Sequence, residues 1–365
     1  MKTNNNNRID IYLTGGFLGS GKTTSIVHAV KQLLKAGKKL AVITNDQGDQ
    51  QVDSDYFKSL AVPHAEVGNG CFCCNYDNLE KRIVELKEAG LPEIIFAESV
   101  GSCTDLVATI VKPFAVFHPE FRVVVSVFAD AFFAHSIITG THTFLQESVR
   151  YIYRKQLEEA DLLVINKTDL ISEDELKTVR EHLQASCPGK IILCQDAYNE
   201  NDINNWIQAQ AHFIPGNRMS LELDYDIYGA GEAALGWFDQ RLSIHTVMPV
   251  AIETAIRLMN LIHYRIRQAG FTIGHLKFLI RDEDWVRKIS YTESESKNDL
   301  IAGGRPCKHL SLLINARVQT APEMLQQIIG DAIHEIMMTS GCRIVEEKVN
   351  AFRPGYPRPI YRMGI

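Results

Sequence analysis

A chain of 365 residues with 45% apolar and 22% charged side chains can build a substantial core and, at roughly 150 residues per domain, two domains. That profile excludes a collagen-like repeat and a chain disordered throughout. The 38 Lys and Arg against 44 Asp and Glu leave a formal charge of -6, so no global basic field draws the chain to nucleic acid or an anionic membrane, and neither is expected as a partner.

The first residues, MKTNNNNR, lack the apolar stretch of a signal peptide, and no uninterrupted apolar run has the length to cross a bilayer. The expectation is a flexible tail over 1–8 and a cytoplasmic location. Strand signals then occur at RIDIYLTGG and KKLAVITND, either side of the amphipathic stretch TTSIVHAVKQLLKAG, which makes a βαβ unit. Further strands are predicted at 93–98, 121–130, 161–167 and 190–195, with helices in YDNLEKRIVELKEAG and SEDELKTVREHLQA between them. Nearly continuous apolar strands separated by helices predict an α/β fold with a mostly parallel sheet covered on both faces. Pro and Gly in HFIPGNRMSL break this alternation around 212–221, placing a first domain at 9–215 and a second at 222–358. The second reads as βαββαβ, a ferredoxin-like α+β domain, and its polar segment 281–305 as a long solvent-facing hairpin connection.

Residues Gly16 to Thr23, GFLGSGKT, satisfy the P-loop pattern between a predicted strand and a predicted helix. Glycines let successive backbone N–H groups converge on polyphosphate, and the helix adds its positive end. The candidate nucleotide contacts are Gly16, Gly19, Ser20, Gly21, Lys22, Thr23 and Thr24, with Lys22 bridging the β- and γ-phosphates and the Thr23 hydroxyl on Mg2+. In Asn166-Lys167-Thr168-Asp169, Asp169 can accept from two guanine donors that adenine does not offer as a pair, which points to GTP. Asn166 would brace the loop, the Lys167 stem would lie against the base, and Gln195-Asp196-Ala197 would complete the pocket.

Glu98 ends a strand and can hold Mg2+ through water, while Gly101 can offer its amide to the γ-phosphate. The polar run NDQGDQQVD, 45–53, suits a first switch, with Asp53 read as a second magnesium-side carboxylate or water orienter, or else as a helix N-cap. The catalytic set read from the sequence is therefore Lys22, Thr23, Asp53, Glu98 and Gly101.

The chain has eight cysteines, too sparse and uneven for a disulfide scaffold, yet Cys71, Cys73 and Cys74 fall within four positions. Three thiols on one turn before a helix can converge on a soft or borderline ion, leaving a fourth position for Glu66, His64, water or a partner. Buried or redox-active thiols are the plainer alternative. His245, His263, His275 and His309 read individually as surface or core polar groups rather than ligands.

Taken in order over residues 11–170, GGFLGSGKTT, NDQGDQQVD, GCFCC, ESVG and NKTDL resemble the CobW-type GTPases, relatives of the UreG and HypB nickel-insertion GTPases. The resemblance implies a GTPase (GTP and water to GDP and phosphate) with Mg2+, whose nucleotide state is coupled to a transition metal at Cys71, Cys73 and Cys74. Zn2+ is the first expectation, with Co2+ or Ni2+ next. It implies a metallochaperone serving a client metalloprotein, and a nucleotide-dependent homodimer. Two other roles stay open: a reactivation or assembly factor for a corrinoid or other metalloprotein, and a GTP-regulated redox sensor. A ferredoxin-like C-terminal domain is typical of the family, but no histidine-rich run occurs here, and FRPGYPRPIYRM resembles the tail of a divergent branch associated with corrinoid-dependent methyl transfer.

Overall fold

The computed structural model describes residues 8–48, 51–60, 62–68, 70–90, 92–141, 146–283, 285–294 and 305–364. The expected tail, apart from residue 8, and residues 49 and 50 of the first-switch motif lie outside these. In chain order the first part holds β1 (Ile9–Gly16), α1 (Lys22–Lys35), β2 (Leu40–Asn45), α2 (Val52–Ser59), β3 (His64–Val67), α3 (Tyr76–Gly90) and β4 (Ile94–Glu98). It continues through α4 (Lys112–Phe117), β5 (Phe121–Asp130), α5 (Ala131–Ile138), α6 (Glu147–Glu158), β6 (Leu162–Asn166), α7 (Glu173–Ser186), β7 (Ile191–Gln195) and α8 (Glu200–His212). The remainder is α9 (Tyr225–Ala233), β8 (Gly236–His245), α10 (Ala251–Gln268), β9 (Ile273–Arg281), β10 (Val286–Tyr291), β11 (His309–Val318), α11 (Pro322–Ser340) and β12 (Arg343–Phe352).

The first seven strands form one parallel sheet in the order β3-β2-β4-β1-β5-β6-β7. β2, β4, β5 and β6 are buried along their whole length because helices cover both faces, which is why their residues are mostly apolar. Since the strands run the same way, their C-terminal residues Asn45, Glu98, Gly16, Asp130, Asn166 and Gln195 line one edge of the sheet, where open α/β folds bind ligands.

The second sheet is antiparallel, in the order β10-β9-β11-β8-β12. Without β10 this is the ferredoxin-like arrangement, with α10 and α11 packed on one face. Strict alternation divides β9: Leu276, Phe278 and Ile280 enter the core beneath those helices, which sends His275, Lys277 and Leu279 to the opposite face. That opposite face packs on α2, where Val52, Leu279 and Leu313 form a small apolar cluster.

One expectation about the C-terminal half is corrected. The segment 281–305 is not simply a solvent-facing connection, since Val286–Tyr291 adds a fifth strand whose Lys288 reaches the first domain; 295–304 lie outside the described residues. The span 222–358 also contains parts that pack on the first layer. α9 lies against α6, with Gly231 so close that a Cβ there would stand 2.6 Å from the Ser148 carbonyl oxygen, and the chain after β12 folds back over α3 and α4.

Candidate functional site

The turn after β1 is shaped by its glycines. Gly16 and Gly21 have φ of +120° and +90°, and a Cβ would meet the Phe128 carbonyl oxygen at 2.3 Å and Asn166 Nδ2 at 2.1 Å respectively. Lys22 opens α1, and its Nζ donates to the carbonyl oxygens of Gly16 (2.7 Å) and Phe17 (3.0 Å). Burial pushes its ammonium down to about 8, with Glu98 opposing that shift. Asn166 Nδ2 donates to the Ser20 carbonyl at 2.8 Å, and Gln195 Nε2 donates to Asn166 Oδ1 at 3.2 Å and Ser25 Oγ at 2.8 Å. These bonds tie the loops after β6 and β7 to the P-loop. Lys167, at φ +62°, sends its Nζ to Asp130 Oδ2 (2.8 Å), Ser294 Oγ (2.7 Å) and Thr292 Oγ1 (3.1 Å). Gly19, Thr24, Asp169, Asp196, Ala197 and Tyr198 line the same cavity of about 480 Å3.

At the other end of the cavity Thr23 Oγ1 donates to Glu98 Oε1 at 2.8 Å. Glu98 Oε2 is buried with no hydrogen-bond partner, and burial followed by the nearby Asp53 raises the carboxyl. A hydroxyl and an under-satisfied carboxylate beside a phosphate cradle form the hard-oxygen set that suits Mg2+ with retained waters. Gly101 lines this end and cannot carry a side chain: a Cβ would stand 2.6 Å from Leu18 Cδ2 and 3.0 Å from Leu18 Cα.

Asp53 lines the same cavity as Thr23 and Glu98, and the N-cap alternative is corrected. The residue preceding α2 is Gln51, so Asp53 is not the N-cap. Its carboxylate is clasped by two lysines of the second sheet, Lys277 Nζ at 2.6 Å and Lys288 Nζ at 2.5 Å. Burial alone would raise the carboxyl, but the two ammonium groups outweigh it and hold Asp53 well below the usual range. Here Asp53 is an ion-pair partner between the sheets. Arg317 extends this contact: fully buried, it bonds Asp239 at 2.7 Å and Asp46 of the first-switch motif at 2.8 Å. His275 is buried against the cavity, where loss of solvation pushes it well below the ordinary imidazole range.

The cysteine turn does converge. Cys71 and Cys73 sulfurs are 2.8 Å apart, Cys73 and Cys74 are 3.8 Å apart, and all three lie within 4.8 Å of one another. Asn45 at the end of β2 fixes the turn, accepting from Phe72 N at 3.0 Å and donating to the Gly70 carbonyl at 2.7 Å. Glu66 is not brought to the thiols. Pairing of β3 with β2 directs it toward α2, where it accepts from Ser54 Oγ at 2.5 Å and lies 3.6 Å from Lys58, while His64 bonds Thr44 at 3.0 Å. His245 and His309 meet each other at 3.2 Å and His263 stacks on Tyr291, all away from the cysteines on the second sheet and its helix.

Three features at this turn escape the sequence reading. Cys103, in the turn after β4, is buried in the same apolar cluster as Cys71 and Cys73; the neighbouring thiols lower Cys71, while Cys73, Cys74 and Cys103 are raised. Glu232 of α9 is buried beside them, accepts from Ser102 Oγ at 2.6 Å and Gln47 Nε2 at 3.2 Å, and is pushed up to about 8 by burial and Cys71. Finally, the tail donates Arg358 N–H to Cys74 Sγ at 3.2 Å and Ile360 N–H to the Cys73 carbonyl at 3.0 Å. Only Cys103 had a legible signal, its place two residues after Gly101.

The zinc chaperone CobW of Sinorhizobium sp is 29% identical over 268 residues, covering 64% of this chain and 74% of that one. The zinc chaperone YjiA of Escherichia coli is 31% identical over 176 residues, covering 46% and 52%, and the zinc chaperone CobW of Pseudomonas aeruginosa 24% over 229 residues, covering 53% and 58%. The chain thus spans little more than half the length of the latter two. Among solved structures, HypB from Helicobacter pylori in complex with nickel aligns with a TM-score of 0.41 and 16% identity over 56% of this chain and 89% of that one. The family profile described as CobW/HypB/UreG, nucleotide-binding domain, matches residues 10–193, half of the chain, taking in the P-loop, the cysteine turn, Glu98 and Asp169. On that match, the chain belongs to the CobW/HypB/UreG family.

Proposed function

We propose that this protein is a GTP-hydrolysing metallochaperone that holds a transition-metal ion, zinc or cobalt first, at Cys71, Cys73 and Cys74 and passes it to a client metalloprotein. The observation that carries the reading is the bracing of the cysteine turn by Asn45, the last residue of β2, which leads directly into the first-switch motif. A change in that motif therefore reaches the thiols through two hydrogen bonds. The names of the zinc chaperone relatives agree with this role.

GTP would lie along the cavity with its base at Asp169 and its phosphates at the P-loop. Lys22, now turned onto two carbonyl oxygens, is the cation free to exchange them for phosphate oxygens. Thr23 and Glu98 would hold Mg2+, which supplies charge neutralisation at the β- and γ-phosphates. No side chain in the cavity is assigned as general base. Free thiols at this site suit the reducing cytoplasm.

The test is competition with a chelator for Zn2+, Co2+ and Ni2+ in the GTP-analogue and GDP states. Coupling of tenfold in affinity corresponds to about 1.4 kcal/mol, and metal must favour the nucleotide state that presents the thiols. Equal affinity in both states would defeat the coupled mechanism, and unchanged affinity after replacing Cys71, Cys73 and Cys74 by serine would remove them from the metal site.

A further inference from the structure

We infer that Lys277 and Lys288 of the second sheet bind the terminal phosphate of GTP and so select the triphosphate over GDP, with the Asp53 carboxylate competing for the same two ammonium groups. This rests on the reading of the P-loop cavity as a GTP site and gives that site a wall from the C-terminal half. Strand alternation sends Lys277 away from the helices that cover the second sheet. The register of β9 with β10 sets Lys277 opposite Ser290 and Lys288 opposite Leu279, so the two lysines are diagonal neighbours on one face. That face meets the nucleotide cavity, which Lys277 and Lys288 line together with Lys22, Thr23 and Glu98. Both strands also abut the P-loop. A Cβ on Gly19 would stand 2.7 Å from the carbonyl oxygen of Gly274, three residues before Lys277, and 2.8 Å from Cγ2 of Thr292, four residues after Lys288.

The plain alternative is a clasp that only holds the two halves together. One lysine is enough to neutralise Asp53, yet two meet it, at 2.6 Å and 2.5 Å, so the clasp itself carries one positive charge more than negative. Like charges on neighbouring strands repel, and a single carboxylate offsets only one of them. The contact between the second sheet and the first-switch region is closed elsewhere, by the cluster of Val52, Leu279 and Leu313 and by Arg317 between Asp46 and Asp239. The lysine side chains keep 15% and 12% of their surface and lie on the cavity wall, so a ligand in the cavity can reach them.

A terminal phosphate matches this pair better than a carboxylate does, because it brings more negative charge and three acceptor oxygens. Asp53 is the last residue of the first-switch motif 45–53. Exchange of its carboxylate for phosphate on the two lysines therefore changes how that motif is held to the second sheet.

Calorimetry of the full chain with Mg2+ compares GDP with a nonhydrolysable GTP analogue. The unaltered chain should bind the analogue more tightly. Lys277→Met and Lys288→Met should each weaken analogue binding at least tenfold while moving GDP by less than about threefold, since each removes one charged hydrogen bond to the terminal phosphate. Lys277→Arg, which keeps the charge, should retain most of the preference. A merely structural clasp would move both nucleotides alike or neither, and either result would overturn the assignment, as would an unaltered chain that binds analogue and GDP equally. Absence of guanine-nucleotide binding to the unaltered chain would instead remove the GTP reading itself. Where a methionine variant does not fold, the glutamine variant, which keeps a donor for Asp53, replaces it, and the nucleotide preference of the unaltered chain still decides.

Discussion

The clasp on Asp53 shows how single residues join the two halves. Two ammonium groups meet one carboxylate, and its side chain is only 16% exposed, so removing the acid strands two cations. Asp53→Ala should therefore destabilise the protein by about 3 kcal/mol, the low end of the range for a broken buried pair. Lys277→Met should cost less, because Lys288 keeps Asp53 paired. Urea denaturation of both variants is the check, and a change below about 0.5 kcal/mol for Asp53→Ala would mean the clasp contributes nothing beyond a surface pair. Asp169, on the cavity wall, is the proposed contact to the base. Asp169→Asn should lower GTP affinity at least tenfold while sparing ATP, since a charged acceptor is worth roughly 1.5 to 3 kcal/mol to its donors. Competition calorimetry measures it, and an unaltered protein that prefers ATP would refute the guanine reading.

At the scale of elements, the chain after β12 acts as a strap across the cysteine turn. Tyr361 packs edge-on against Tyr76 at 5.1 Å and against Phe117 at 5.2 Å, and Arg362 Nε bonds Asp105 Oδ2 at 2.7 Å. These anchors lie just beyond the two backbone bonds to Cys73 and Cys74. Replacing Tyr361 and Arg362 together by alanine should free the strap and raise the alkylation rate of Cys74 at least tenfold in the metal-free protein, whereas buried Cys71 and Cys73 should change less. Peptide mapping after timed iodoacetamide treatment reads all three. Equal Cys74 rates in the variant and the unaltered chain would show that the strap does not control access.

For the whole molecule, an inward-facing acid adds to the pH dependence of stability. Glu159 is buried, accepts from Thr104 Oγ1 (3.2 Å) and the Val107 amide (3.4 Å), and burial, then Asp105, pushes it from 4.5 up to about 8. A carboxyl raised in the fold binds its proton more tightly there than in the unfolded chain. Its contribution is fully present below about pH 4.5 and is lost as pH rises through about 8. Glu159→Gln keeps the shape and should remove up to about 1.4 kcal/mol per pH unit of that decline inside this window. Denaturation between pH 5 and 8 tests it; a variant with the unaltered slope would show that Glu159 does not titrate there.

Local rules made much of the molecule legible. The glycine spacing of 16–23, the apolar runs of the parallel strands and the alternation in β8, β9 and β11 each act over a few residues, so the P-loop, the sheet and the ferredoxin-like order could be read directly. Glu98 and Asn166 followed because strand ends of a parallel sheet fall together. Cys71, Cys73 and Cys74 were visible because neighbours on one turn cannot be far apart. What remained hidden depends on contacts between distant segments. Nothing local marks Lys277 of β9 and Lys288 of β10 as partners of Asp53 until the second sheet packs on α2, and Glu66 suited a ligand until β3 paired in a register that gives it to Ser54. Arg358, whose amide reaches the Cys74 sulfur, is 284 residues away from it in the chain. Side-chain type and spacing determine what an element can bury and which groups one turn can gather; only the packing of the two sheets and the returning strap decides which charges are paired and what covers the sulfurs.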